Sequence, residues 1–208
     1  MKTKTCKVCK EKFTPSRPLQ VVCSPACAFV IVNKVCEKER KSLNKATKIK
    51  LKSLSDYKNE LQTQINLIAR LIDEGCPCIS SGRTTGKMNG GHRFSTGAFD
   101  NLRFNLLNIW IQSFSDNHFK SGNPDGFDKG LSKLNAYDMV HELPSKYPFI
   151  KLQKSDLVEK IIIAKNIVKE LKLLNSNLTG LHDPITQRDT AVRLWMRNEY
   201  NQELGIYL

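Results

Sequence analysis

The chain has no long apolar run. Its longest near the N-terminus, from Ala26 to Val32, falls far short of the roughly 20 residues that a membrane span needs. The lysine-rich start has no apolar stretch behind it, so a secretory signal is not expected. There is no internal repeat, no low-complexity tract and no glycine loop of the phosphate-binding type, which sets aside solenoids, linkers and nucleotide-triphosphate motors. Aromatic residues are few (8%), while the apolar share of 40% is ordinary for a globular protein able to build a core at 208 residues. Acidic residues are scarcest where the chain begins. Residues 1–54 hold fourteen Lys/Arg against three Asp/Glu, so +11 of the formal +13 lies in the first quarter. A field so concentrated attracts polyanions, with nucleic acid first and an anionic membrane surface second.

Cysteine is not scarce: there are seven. Without a secretory signal they belong to a reducing, cytoplasmic setting, where clustered cysteines mean metal rather than disulfides. Cys6 and Cys9, then thirteen residues, then Cys23 and Cys27 have the spacing of a tetrahedral structural zinc site. So short a segment has little core of its own, and the metal supplies much of its folding free energy. Ser24-Pro25 predicts a helix start. Phe29, Val32, Cys36 and Leu43 then form a thin stripe between Lys38, Arg40, Lys41, Lys45, Lys48, Lys50 and Lys52. This helix either lies along DNA phosphates or is a solvated connector. A second helix is expected from Ser55 or Asp56 to Asp73, on the face of Leu61, Ile65, Ile68, Leu71 and Ile72, with Gly75 as its stop. Gly82, Gly86, Gly90 and Gly91 punctuate a hairpin or irregular strands. The segment from Asn108 to Lys120 reads as a loop entering a short helix, stopped before Pro124. Beyond it come short helices over 127–134 and 136–143. A long helix follows, capped by Ser155, then a polar loop from Asn175 to Pro184 and a last helix from Thr186 to Leu204 stopped by Gly205. Trp195 and Tyr200 are expected to pack.

Several motifs stand in one order: the paired cysteines, Cys78-Ile79-Ser80 with Gly82, Gly91-His92, Leu102-Arg103-Phe104-Asn105, Asn108-Ile109, Asn117 and Lys120-Ser121-Gly122-Asn123. Over roughly residues 5 to 125 the chain resembles the phage recombination proteins of the NinG (Rap) family. The resemblance implies a structure-specific endonuclease acting on branched DNA, such as Holliday junctions, with a core like an HNH (ββα-metal) finger using Mg²⁺ or Mn²⁺. On that basis His92 is the general base, Asn108 braces the loop, and Asn117, with His118 beside it, sits on the metal-facing helix. Arg103 and Lys120 join the lysines of the basic helix as DNA contacts. The expected fold is α+β and mostly helical. It comprises a zinc module (1–33), a basic connector and second helix (34–75), the HNH-like core (76–135) and a helical C-terminal region (136–208).

The departures from the family pattern bear on activity. Family members usually carry a second four-cysteine zinc site around this core. Here Cys78 remains, while Ser81, Ser113 and Asp116 stand at the other three positions. Serine is a poor zinc ligand, so one structural zinc per chain is expected. Trp110 stands where histidine is frequent, and Asn89 where aspartate is. A divalent cation is left with His92, Asn117, His118 or Asp116. Either packing by Trp110, Phe114 and Phe119 has replaced the lost zinc, or the chain is a DNA-binding accessory protein that does not cut. A third reading is a zinc-stabilised adaptor. His92 itself is a base or a hydrogen-bonded brace of the hairpin. Resolvases are commonly two-fold dimers, but no segment carries a dimerisation signature.

Overall fold

A computed structural model describes residues 2–179 and 189–207, apart from the side chains at 45, 46, 48–50, 178 and 179. It is α+β and mostly helical, and divides between Lys52 and Ser53 into two units. No helix among the described residues is long and apolar enough to cross a membrane.

In the first unit, β1 (Lys4–Thr5) pairs antiparallel with β2 (Lys12–Phe13), and α1 (Pro25–Leu51) follows. Lys10, at φ 66°, turns the chain between the strands, and Cys6 N–H donates to Glu11 O at 2.8 Å. Ser24 caps α1 through its hydroxyl, which accepts from Cys27 N–H at 3.3 Å, as the Ser24-Pro25 pair predicts. The stripe on α1 is not a core face. Phe29, Val32, Cys36 and Leu43 are all exposed, because a stripe interrupted by so many lysines has too little apolar width to bury.

The second unit is built on two helices. α2 (Leu54–Ile72) begins at a reciprocal capping box: Ser53 Oγ accepts from Asp56 N–H, and the Asp56 carboxylate accepts from Ser53 N–H. It lays Leu61, Ile65, Ile68, Ala69 and Ile72 against the buried face of α7 (Lys154–Thr179), formed by Leu157, Ile161, Ala164, Val168 and Leu171. Two details of α7 differ from expectation. Ser155 lies inside its first turn, where the Asp156 carboxylate accepts from Gln153 N–H at 2.8 Å. At the other end the helix runs on through Thr179, so 175–179 is not loop: Asn175 is buried and donates to Leu71 O, which holds that turn on α2. Residues 180–188, which include the rest of the expected loop and the expected start at Thr186, lie outside the described residues. The last helix, α8 (Thr190–Leu204), is capped by Asp189 and closed by Gly205 in the left-handed conformation. Tyr200 packs on the core, but Trp195 is 61% exposed, on the side of α8 away from buried Met196 and Arg197.

Between α2 and α7 lies a hairpin with a helix behind it. β3 (Met88–His92) pairs antiparallel with β4 (Ile109–Ser113), in the register Gly91 with Trp110 and His92 with Ile109, and α3 (Phe114–Phe119) follows directly. From sequence, Ile109–Ser113 reads as loop. It is a fully buried strand, and a short continuous apolar run carries no period to show it. Gly90 and Gly91 let β3 into its slot: a Cβ at Gly90 would meet Asn66 of α2 at 3.1 Å, and one at Gly91 would meet Gln112 of β4 at 2.1 Å. α4 (Pro124–Lys133), α5 (Tyr137–His141) and α6 (Leu143–Lys146) close a second core around Trp110, Phe127, Leu131, Val140 and Leu143.

One buried ionic cluster fixes the hairpin between these layers. Asp73, just past α2, accepts from Arg197 at 2.7 Å, from Arg193 at 3.2 Å and from Ile111 N–H of β4 at 2.9 Å. Arg197 is fully buried, and its guanidinium lies 4.0 Å from the Trp110 ring centroid. Asp73→Asn leaves two buried cations without their counter-charge. It should lower stability by about 3–5 kcal/mol, read as a fall in urea midpoint at unchanged m-value.

Candidate functional site

Cys6 and Cys9 sit on the turn between β1 and β2, Cys23 just before α1, and Cys27 in its first turn. Their sulfurs all lie within 4.8 Å of one another, with Cys9 and Cys23 at 3.5 Å and Cys23 and Cys27 at 3.7 Å. Thiolates around a zinc ion at 2.3 Å stand roughly 3.8 Å apart, so the donor set fits tetrahedral Zn²⁺. The protons are unevenly held without metal. Burial opposes a Cys6 thiolate, but N–H groups of Val8, Cys23 and Cys9 outweigh it and bring Cys6 down to about 6. At Cys9 the backbone at Glu11 favours the thiolate, yet neighbouring Cys23 and Cys6 sulfurs push it up to about 12. Four anionic sulfurs this close need a cation. Cys36 is exposed and stands apart from this cluster.

The second cluster is where the resemblance places the other zinc site. Cys78, Ser81, Ser113 and Asp116 do come together, but as a hydrogen-bonded group. Asp116 Oδ2 accepts from Ser113 Oγ at 2.6 Å and from Cys78 Sγ at 3.5 Å; Oδ1 accepts from Lys120 Nζ at 3.0 Å and from Asn123 Nδ2 at 3.2 Å. The Ser113 hydroxyl, then Ser81, hold the carboxyl well below its usual range against the opposing effect of burial, and Lys120 and Cys78 add to them. Cys78 Sγ in turn accepts Ser113 N–H at 3.1 Å. An ionised, saturated carboxylate thus takes the place that metal and thiolates would hold, tying the 76–82 loop to the start of α3.

His92 ends β3. Its Nε2 lies 3.0 Å from Arg103 O, a contact that requires the proton on Nε2 and leaves Nδ1 as the acceptor. Gln62 Nε2, which donates to Asn66 Oδ1 at 2.8 Å, lies 3.3 Å from the same nitrogen. Burial pushes the His92 pKa below 6.5, so the imidazole is neutral at pH 7. Asn108 braces the loop that supplies Arg103. It accepts from Phe94 N–H at 2.8 Å and donates to Phe94 O at 3.0 Å and Leu102 O at 3.2 Å. Asn105 caps the turn over Leu106–Asn108, and its side chain accepts from Asn201 of α8.

The other expected site residues fall differently. Asn117 is half-buried on α3. His118 stacks on Phe114 at 5.1 Å and meets Phe119 edge-on, while Phe119 itself is 74% exposed. Of the three residues expected to pack in place of zinc, only Trp110 is fully buried. The Arg103 guanidinium binds inside the protein, to Asn59 at 3.1 Å and towards Asp100 at 3.6 Å. Lys38, Arg40 and Lys41 are exposed on α1, with Lys41 paired to Glu37. The side chains of Lys45, Lys48 and Lys50 lie outside the described residues, and Lys52 follows the helix end. Among the described residues, only the four N-terminal cysteines group three or more His, Cys, Asp or Glu donors. A hard divalent cation at His92 would therefore find neutral ligands, since Asp116 is already saturated; the donor set is a poor fit for Mg²⁺. Three supporting features are not visible in sequence. Gln62 is one of many polar residues on α2. Arg193 and Arg197 read as a solvated i, i+4 pair. The Arg93–Asp128–His141 group, with Arg93 Nε donating to Asp128 at 2.5 Å and His141 Nε2 3.0 Å from it, joins residues far apart in the chain.

The profile of a family described as Bacteriophage Lambda NinG protein matches residues 1–173. The chain belongs to the NinG family. Among curated proteins, it is 31% identical over 161 residues to Protein ninG of Enterobacteria phage H19B, covering 68% of this chain and 80% of that one. Protein ninG of Escherichia phage lambda is 31% identical over 158 residues, covering 67% and 78%. Protein ninG of Salmonella phage P22 is 33% identical over 134 residues, covering 55% and 66%. No solved structure matches significantly. The match to NinG spans the cysteine cluster, the hairpin and α3, and ends before α8.

Metal content tests the account of both clusters. Chelator-washed protein should hold one zinc per chain, lost when Cys9 and Cys23 are changed to Ser. A ratio of two would show that Cys78 and Asp116 ligate metal rather than hydrogen-bond.

Proposed function

We propose that this NinG-family chain is a structure-specific endonuclease for branched DNA, such as a Holliday junction formed in phage recombination. The observation that carries the reading is His92: a neutral imidazole at the end of β3, its Nε2–H fixed on Arg103 O, its Nδ1 left to take a proton. The β3–β4–α3 order has the strand–strand–helix form of an HNH-like core, with Asn108 bracing the loop between the strands. In the reaction His92 Nδ1 removes a proton from water, the oxygen attacks phosphorus, and the ester oxygen on the far side leaves. Exposed Lys120, just after α3, exchanges its contact with Asp116 for the phosphate. The +11 of the first quarter supplies non-specific affinity, and the zinc cluster folds the segment that carries it.

The non-cutting accessory reading draws on a specific observation. The one buried carboxylate near α3, Asp116, is saturated by its neighbours, so no described anionic ligand remains beside His92. Incubating the protein with a four-way junction, with and without Mg²⁺ or Mn²⁺, separates the two. Product decides for the nuclease; a bound but intact junction under every metal leaves the accessory protein.

If the junction is cut, His92→Ala should lower the rate by about 10²-fold or more while binding stays near normal. The pH profile gives the sign. The base works when neutral, and its pKa is depressed below 6.5, so the rate should be flat above pH 6.5 and fall on the acid side of it. A rate that rises with acid would exclude His92 as the base.

Binding should depend steeply on salt. Changing Lys38, Arg40 and Lys41 to Glu should weaken affinity for all sequences alike by roughly tenfold or more. The log–log salt slope should flatten by about 0.9 for each phosphate no longer neutralised. Unchanged affinity in a gel-shift titration would make α1 a connector only.

A further inference from the structure

Beside β4, at Trp110 and Ile111, the second unit has a cavity of about 330 Å³. One wall is the 76–82 loop, the other is α4, and Trp110 and Ile111 lie at its base. The walls are held rigidly. Ile79 N–H donates to Ile111 O at 2.9 Å, and Cys78 N–H donates to Arg83 O at 2.7 Å. α4 lies against the loop through Gly126 and Gly130, where a Cβ would stand 2.4 Å from Ser80 O and 2.0 Å from Ile79 O.

The lining is one-sided in charge. Lys129, Lys133 and Arg193 all line the cavity, and no carboxylate does. Lys129 and Lys133 are i, i+4 on α4, a like-charged pair that weakens an isolated helix. Arg193 is 94% buried: one of its terminal nitrogens donates to Asp73 and the other to Thr190, but its Nε has no partner. The remaining surface is apolar, with Pro77, Ile79 and Leu134. Arg193 is already answered by Asp73, so Lys129 and Lys133 are the two lining cations left to hold an anion. The apolar walls and a volume within the range of small-molecule sites call for a flat body attached to it, larger than phosphate alone.

We propose that this cavity binds a single nucleotide, with the base against the apolar lining of Pro77, Ile79 and Leu134 and the phosphate on Lys129 and Lys133. The assignment rests on the DNA reading above for its natural source, an unpaired nucleotide at a branch point, which leaves the stack more easily than a paired one. It specifies how a branched DNA could be told from a plain duplex.

The test uses the full-length zinc-loaded protein and two probes: free dAMP, and a four-way junction with 2-aminopurine at the branch. Titration of dAMP should be saturable at one site per chain. The shifts should be in the Trp110 indole, Gly82 and Gly130 NMR signals, and inorganic phosphate should bind at least tenfold more weakly. With the junction, 2-aminopurine fluorescence should change on binding. Lys129→Glu with Lys133→Glu, both exposed positions that should leave the fold intact by circular dichroism, should weaken dAMP at least tenfold and abolish the fluorescence change. A response from the junction alone, lost in the double variant, also supports the site and places its nucleotide in DNA. Phosphate binding as tightly as dAMP would make it a plain anion site and overturn the proposal. So would silence from both probes, or responses that the double variant leaves intact. The dAMP arm is independent of cleavage: dAMP bound by a protein that ignores junctions would sink the DNA reading and keep the pocket, and junction cleavage without either response would do the reverse.

Discussion

Asp73 is the point on which the second unit depends. A single carboxylate, fully buried, answers two guanidinium groups from α8 and one N–H from β4. Burying three charges is expensive, and the gain comes only when every hydrogen bond is made. That requirement makes the cluster a positional device. α8 cannot slide, and β4 cannot shift register, without stranding a charge in a low-dielectric core. Trp110 lies under Arg197 and so belongs to the same constraint, although its indole N–H is satisfied locally by Leu107 O at 2.8 Å.

The candidate site inherits its geometry from that cluster through the loop between β3 and β4. Arg197 donates to Leu106 O and Ile109 O, Asn201 accepts Leu106 N–H at 2.9 Å, and the Tyr207 hydroxyl accepts Phe104 N–H at 3.1 Å. Arg103, whose carbonyl sets the His92 proton, is held between these anchors and the Asn108 brace. The four-cysteine cluster works on another scale. It lies in a unit where Cys6 and Pro15 are the only buried residues among those described, so metal binding there would be coupled to folding.

The parts legible in sequence were those governed by local chemistry. The cysteine spacing gave the metal cluster, and the 3–4 periodicities of α2 and α7 gave the main helix pair. His92 and Asn108, singled out by motif, lie close together, on Arg103 O and Leu102 O of one loop. What was not legible depends on long-range partners. Ile109–Ser113 has no period, so its strand character comes only from pairing with β3. The stripe on α1 has helical spacing without a core to face. Asp116 reads as a metal ligand until Ser113, Cys78, Lys120 and Asn123 surround it. Arg193 and Arg197 look like ordinary solvated charges, and only the fold puts Asp73 between them.

The stitching by α8 has a consequence for the order in which the protein is made. The chain emerges from the ribosome N-terminus first, and domains complete themselves as their last partners appear. The four cysteines can gather their metal early, since the cluster closes within residues 6–27. The hairpin cannot, because its clamps at Arg197, Asn201 and Tyr207 are synthesised well after it. During translation the basic segment is therefore complete while the hairpin of the second unit is still unassembled. Each new molecule passes through a stage in which its concentrated positive charge stands without the His92 loop beside it.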